Sequence, residues 1–153
     1  MVDDYTPWRH FIRSTLQQQA DLQVIGEASD GAEAVVKAEE LQPDLILLDI
    51  GLPTLNGIEA ARQVREVAPQ SRILFVTENR LRDIAEAALG TGASGYLVKA
   101  DAGRELLLAV RTVLQGKRFI SGSLAGNFLV ATTLTAAVTT HPSWMVMLIL
   151  GIS

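Results

Sequence analysis

Four short apolar runs rich in branched residues, spaced by stretches with helical periodicity, constrain the fold of this chain more than any other feature. The runs are "LQVIGEA" (22–28), "DLILLDI" (44–50), "RILFVT" (72–77) and "GYLVK" (95–99), each of strand length. "DLILLDI" and "RILFVT" are almost continuously apolar, the pattern of a strand covered on both faces. The segments between them start and stop like helices. Thr6 is expected as an N-cap, with Pro7 in the first turn of a helix that runs to about Gln19. Asp30-Gly31 and Asn56-Gly57 open the next two, Pro69 stops the latter, and Gly90, Gly92 and Gly116 suit the ends of the last two. Alternation at this spacing predicts βαβ units: a three-layer, doubly wound α/β fold with a parallel sheet between helices. A regular count wants one more strand before the first helix. Only Met1 and Val2 precede the adjacent aspartates Asp3 and Asp4, so the first strand is short or missing.

Composition fixes the scale. At 153 residues the chain suits one domain with a sizeable core, and 20% charged residues are ordinary for a globular protein. The net charge of −4 argues against a general nucleic-acid footprint. With no cysteine, disulfides and thiolate chemistry are excluded, which permits a reducing cytoplasm. No basic stretch leads into an apolar run at the N-terminus, so a secretory signal is not expected. The averages hide a break: every Lys, Arg, Asp and Glu lies at or before Arg118. Residues 1–118 are therefore read as the domain and residues 119–153 as an uncharged tail whose structure the sequence leaves open.

The polar residues that close the apolar runs are Asp3 and Asp4, Asp49, Thr77 and Lys99. In a doubly wound parallel sheet the carboxyl ends of the strands share one edge, so these side chains are expected to converge there. Three carboxylates in one place repel one another, and a hard divalent cation with oxygen ligands resolves the repulsion. A lysine and a hydroxyl beside that cation suit a tetrahedral oxyanion. The set describes a phosphoryl-transfer site, in which positioning and charge neutralisation do most of the work.

The pieces "VDD", "DLILLDIGLPTLNGIEAARQVR", "VTE" and "GASGYLVKADAGRELLLAV" together resemble a response-regulator receiver domain of the NarL/FixJ type. The resemblance implies a flavodoxin/CheY-like sheet of strand order 2-1-3-4-5. It implies that Asp49 is the phosphoacceptor for a sensor histidine kinase, and that Mg²⁺ is held by Asp3, Asp4, Asp49 and the backbone carbonyl of Gly51. Lys99 would pair with a phosphoryl oxygen, Thr77 would hydrogen-bond another, and Tyr96 would be the switch aromatic that turns inward as Thr77 moves. Such a chain is a signalling protein of two-component systems, not an enzyme, and catalyses only its own phosphorylation and dephosphorylation. The resemblance leaves a homodimer open and points to the cytoplasm. Ala100 stands where many receivers have proline, and the truncated first strand would leave its neighbours with unpaired backbone groups.

Each residue alone has an ordinary reading. Asp49 could cap a helix, Lys99 could be a solvated charge, Thr77 a strand threonine and Tyr96 a packing residue. Gly57 reads as a turn or helix start, His10 as surface, and His141 has no partner for a catalytic pair. Two functional alternatives stand beside the phosphoacceptor. One is a pseudo-receiver, a protein–protein interaction module that keeps the fold but takes no phosphate. The other, an aspartyl phosphohydrolase, would want a second Asp where the chain has Gly51. The tail carries no helix-turn-helix pattern and no Lys or Arg, so direct nucleic-acid binding by this chain is not expected. Three readings of the tail compete. Residues 128–152 are long enough to span a membrane, but five threonines, His141 and Pro142 argue against it. "WMVMLIL" (144–150) reads as a buried strand that could occupy the vacant first position. The loss of charge also suits a frame change or fragment end, and that reading is placed first.

Overall fold

A computed structural model describes residues 5–52, 55–125 and 144–149. Asp3 and Asp4 lie outside the described residues, as do His141 and Pro142. The elements alternate as the apolar pattern requires: α1 (Tyr5–Gln17), β1 (Leu22–Ala28), α2 (Gly31–Leu41), β2 (Leu45–Leu48), α3 (Gly57–Val67), β3 (Arg72–Thr77), α4 (Arg82–Leu89), β4 (Gly95–Val98) and α5 (Ala102–Leu114). A short strand β5 (Phe119–Ile120), a single helical turn α6 (Gly122–Ala125) and a strand β6 (Trp144–Ile149) follow.

Local chemistry sets several of these boundaries. Asp30 accepts a hydrogen bond from the Glu33 amide at 2.8 Å, and Asn56 accepts one from the Glu59 amide at 3.0 Å, so both helices open where expected and each is capped by the side chain before its glycine. Helix α1 begins at Tyr5, which places Thr6 inside the helix rather than at its cap. Past α4 the chain turns through Gly92 at φ 94°, and past α5 through Gly116 at φ 83°, left-handed positions that a Cβ disfavours.

The sheet is parallel throughout, in the order β1-β6-β2-β3-β4-β5. Here the expectation needs correcting. The 2-1-3-4-5 order assigned the slot between "LQVIGEA" and "DLILLDI" to the N-terminal stub. That slot holds β6, whose residues pair with β1 from Leu22↔Trp144 to Ala28↔Ile149 and with β2 from Leu45↔Val146 to Leu48↔Ile149. An edge strand, β5, is added beside β4. The physical reason is that a central slot leaves two rows of backbone donors and acceptors to be paired, and an uncharged apolar run can do this while covered on both faces. Asp44 fastens the entry to β6: its amide donates to the Met145 carbonyl and its carboxylate accepts from the Met145 amide, each at 2.8 Å. Of the three readings of the tail, the strand reading is the one that describes residues 144–149, and a helical membrane span over 128–152 does not.

Two apolar layers flank the sheet, and alternation along the strands divides them. Ile46, Leu48, Ile73, Phe75, Tyr96 and Met147 pack with the alanine-rich faces of α2, α3 and α4. Leu45, Leu47, Leu74, Val76, Val146 and Leu148 pack with Ile12 and Leu16 of α1 and Leu106, Val110 and Val113 of α5. This is the three-layer α/β architecture predicted from the sequence. Among the described residues no helix is long and apolar enough to cross a membrane.

Candidate phosphoryl-transfer site

The parallel arrangement brings three of the expected site residues to one rim. Asp49 directly follows β2, Thr77 ends β3, and Lys99 begins the turn after β4. Lys99 Nζ lies 3.0 Å from Asp49 Oδ2, and both side chains are about nine-tenths covered. An ammonium and a carboxylate this well shielded attract more strongly than a surface pair, because little water lies between or around them. The other carboxylate oxygen is less engaged among the described residues: Asp49 Oδ1 accepts a long 3.3 Å hydrogen bond from the Gly51 amide. An open cleft of about 340 Å³ lies over the pair, lined by Asp49, Gly51, Thr77, Glu78, Asn79 and Lys99.

Thr77 and Tyr96 are brought together through a residue that sequence reasoning did not single out. The Asn79 amide donates to Thr77 Oγ1 at 3.3 Å, and the Tyr96 hydroxyl donates to the Asn79 carbonyl oxygen at 2.7 Å. Tyr96 is fully buried and stacks obliquely on Phe75, with ring centroids 6.3 Å apart. Burial, and secondarily the negative charge of Asp49, push its hydroxyl up to about 12. The phenol is therefore a neutral hydrogen-bond donor at physiological pH. Asn79 escaped notice because it acts through its main-chain N–H and C=O, for which a sequence carries no side-chain signal.

Gly57 does more than start a helix. A Cβ there would stand 2.0 Å from the Asp49 carbonyl oxygen and 2.7 Å from Ile50 Cα, so α3 begins against the backbone that carries Asp49. At Gly51 the opposite holds, since a Cβ would meet nothing within 4 Å. A side chain at position 51 would thus be free to vary while its carbonyl kept a constant place. Trp8, also not anticipated, lies under the amine of Lys99, with Nζ 5.3 Å from a ring centroid.

The expected metal set is only partly on view. Asp49 and Gly51 are in place, whereas Asp3 and Asp4 lie outside the described residues. Among the described residues no group of three or more His, Cys, Asp or Glu side chains could hold a metal ion. The donor set that is present fits a hard cation in kind: a carboxylate oxygen with spare capacity and a neighbouring backbone carbonyl.

Comparison with known proteins agrees with this geometry. The response regulator receiver domain family matches residues 1–111. VraR, a response regulator protein of Staphylococcus aureus, is 36% identical over 116 residues, which are 76% of this chain and 56% of that protein. The chain thus spans little more than half the length of the curated relatives it matches. A LuxR-family two-component response regulator from Aurantimonas sp. SI85-9A1 superposes with a TM-score of 0.76 at 34% identity, covering 81% of this chain and 89% of that one. The receiver domain of the putative response regulator NarL from Mycobacterium tuberculosis does so with a TM-score of 0.69 at 31% identity, covering 75% and 93%. This chain belongs to the response regulator receiver domain family of two-component systems.

Proposed function

We propose that the chain is a phosphoacceptor, with Asp49 taking a phosphoryl group from the phosphohistidine of a sensor histidine kinase. The observation that carries the reading is the shielded Asp49–Lys99 pair at the mouth of the cleft, with Thr77 on the same rim. A carboxylate oxygen of Asp49 attacks phosphorus, the P–N bond breaks, and its electron pair returns to the imidazole nitrogen. The product is an acyl phosphate. Lys99, already 3.0 Å from the carboxylate, neutralises charge on a phosphoryl oxygen. The Thr77 hydroxyl donates to another. Asp49 Oδ1, the Gly51 carbonyl, Asp3 and Asp4 would hold Mg²⁺, which supplies charge neutralisation on the transferring group when bound.

The switch follows from the same contacts. Recruiting Thr77 toward phosphate alters the Thr77–Asn79–Tyr96 chain of hydrogen bonds, and so couples the rim to the face formed by α4, β4 and α5. Residues 1–118 are the receiver unit in this reading, completed by the strand that the 119–153 tail inserts.

The test is direct. Incubation with Mg²⁺ and acetyl phosphate, followed by intact mass measurement, is expected to show one added phosphoryl group that Asp49→Asn abolishes. No gain at saturating donor would refute the phosphoacceptor and leave the interaction module.

A further inference from the structure

We propose that Trp8 is a positioning residue for phosphoryl transfer: its indole face holds the Lys99 ammonium at the phosphoacceptor. The inference rests on the phosphoacceptor reading and adds a residue to it. Three observations support it. Lys99 Nζ sits 5.3 Å from a Trp8 ring centroid and 3.0 Å from Asp49 Oδ2, so the amine is held between an electron-rich face and a carboxylate. The Lys99 side chain is about nine-tenths covered, which strengthens a cation–π attraction by removing competing water.

The third observation concerns the cost of using tryptophan. Trp8 Nε1 is buried with no hydrogen-bond partner among the described residues. A buried donor left unpaired is destabilising, and phenylalanine would fill much of the same space without one. Packing alone therefore favours Phe at this position. Tryptophan has the stronger ring quadrupole, and that advantage matters only if a cation lies on the ring. The ring itself is fixed from behind. It packs on the layer that contains Ile12 and Leu16, and lies 5.8 Å from the Phe11 ring. A lysine has a flexible four-carbon stem, and confining its amine to the cleft costs rotamer freedom. A rigid ring beneath the ammonium reduces how much of that freedom remains to be lost when phosphate arrives.

The experiment uses the full chain with Trp144→Phe as background, so that Trp8 is the sole indole. Trp8→Phe and Trp8→Leu are compared for phosphoryl uptake from acetyl phosphate with Mg²⁺, and for the NMR positions of the Lys99 ε-methylene protons without donor. Ring current from Trp8 is expected to displace those protons, with the displacement lost in Trp8→Leu. Uptake is expected to fall about fivefold in Trp8→Leu, equivalent to ~1 kcal/mol, and by less in Trp8→Phe. Circular dichroism restricts the comparison to folded variants, and Trp8→Phe keeps the test decisive if the leucine variant fails to fold. Unmoved ε-methylene protons would overturn the pairing, and unchanged uptake would overturn the positioning role. Should even the background protein take no phosphoryl group, the phosphoacceptor reading fails. The proton shifts then still decide whether the ring holds the amine.

Discussion

If β6 completes the sheet, truncating its buried side chains should unfold the domain from the β1 side. Val146, Met147 and Leu148 are all fully buried, and they face both layers: Met147 toward α2 and α3, Val146 and Leu148 toward α1 and α5. Met147→Ala and Leu148→Ala each remove a side chain from a packed interior, a change that costs roughly 2–5 kcal/mol. Against a typical domain stability of about 5–15 kcal/mol, either variant should remain folded at low temperature and the pair together should be marginal. With a urea slope of about 2 kcal/mol/M, a loss near ~3 kcal/mol moves the midpoint down by roughly 1.5 M.

Hydrogen exchange localises the effect. Among the described residues, β1 pairs with β6 alone, whereas β3 and β4 pair with each other and with strands on the far side. Amides of β1 should therefore lose protection first in Leu148→Ala, ahead of those in β3 and β4. A midpoint within about 0.3 M of the parent chain would show that β6 contributes little to the sheet. Equal loss of protection in β1 and β4 would refute the localisation.

Three further outcomes follow from the site and its surroundings. Gly57→Ala should destabilise the fold by about 1–3 kcal/mol, because the new Cβ must displace the Asp49 backbone. Phosphoryl uptake should fall at least tenfold in the same variant, and unchanged uptake would show that the helix start does not position Asp49. Tyr96→Phe should cost about 1 kcal/mol in urea unfolding through loss of the 2.7 Å bond to the Asn79 carbonyl, and an unshifted midpoint would remove that bond from the account. Asp101 is buried, and hydrogen bonds from the Ser121 and Ser123 hydroxyls hold its carboxyl down at about 2, from an ordinary 3.8. A folded value below the unfolded one means this stabilisation is complete above pH 3.8 and is lost as pH falls toward about 2. Asp101→Asn should therefore flatten the acid limb of a stability profile between those values. The difference at neutral pH is about 1–2 kcal/mol once solvent screening at the rim is allowed for. Parallel acid limbs in the two proteins would contradict it.

How much was legible in the sequence depended on whether the signal was local. The run "DLILLDI" alternates between layers in the structure as a doubly covered strand must, and Asp30 and Asn56 cap helices through bonds to residues three positions on. Such signals need only near neighbours. The gathering of Asp49, Thr77 and Lys99 was legible for a different reason: in a parallel sheet, topology alone places every strand's carboxyl end on one side. The slot that β6 fills was named by one reading of the tail, but the sequence could not rank that reading first, because an uncharged apolar run suits other environments and long-range parallel pairing leaves no turn residue to mark its partner. Gly57 was legible as a helix start but not as a close approach to Asp49, since that contact lies in the third dimension. The same holds for Trp8, whose ring meets a lysine from the other end of the sheet.

The position of β6 also bears on which parts of the site come from which elements. β6 enters the slot parallel to both neighbours, so its carboxyl end points to the functional rim, yet its last described residues are Met147, Leu148 and Ile149, none with an oxygen-bearing side chain. The residues on view there come instead from β2, β3 and β4, each with its own ladder. Among the described residues, helix α1 reaches the rim through the contact of Trp8 with Lys99. With a rise of about 1.5 Å per residue, Tyr5 stands only about one turn from that contact. The first turn of α1 therefore lies beside Lys99. A sheet completed by β6 and a rim reached by α1 are separable features, so the strand in that slot bears more on how the core is built than on which described residues line the site.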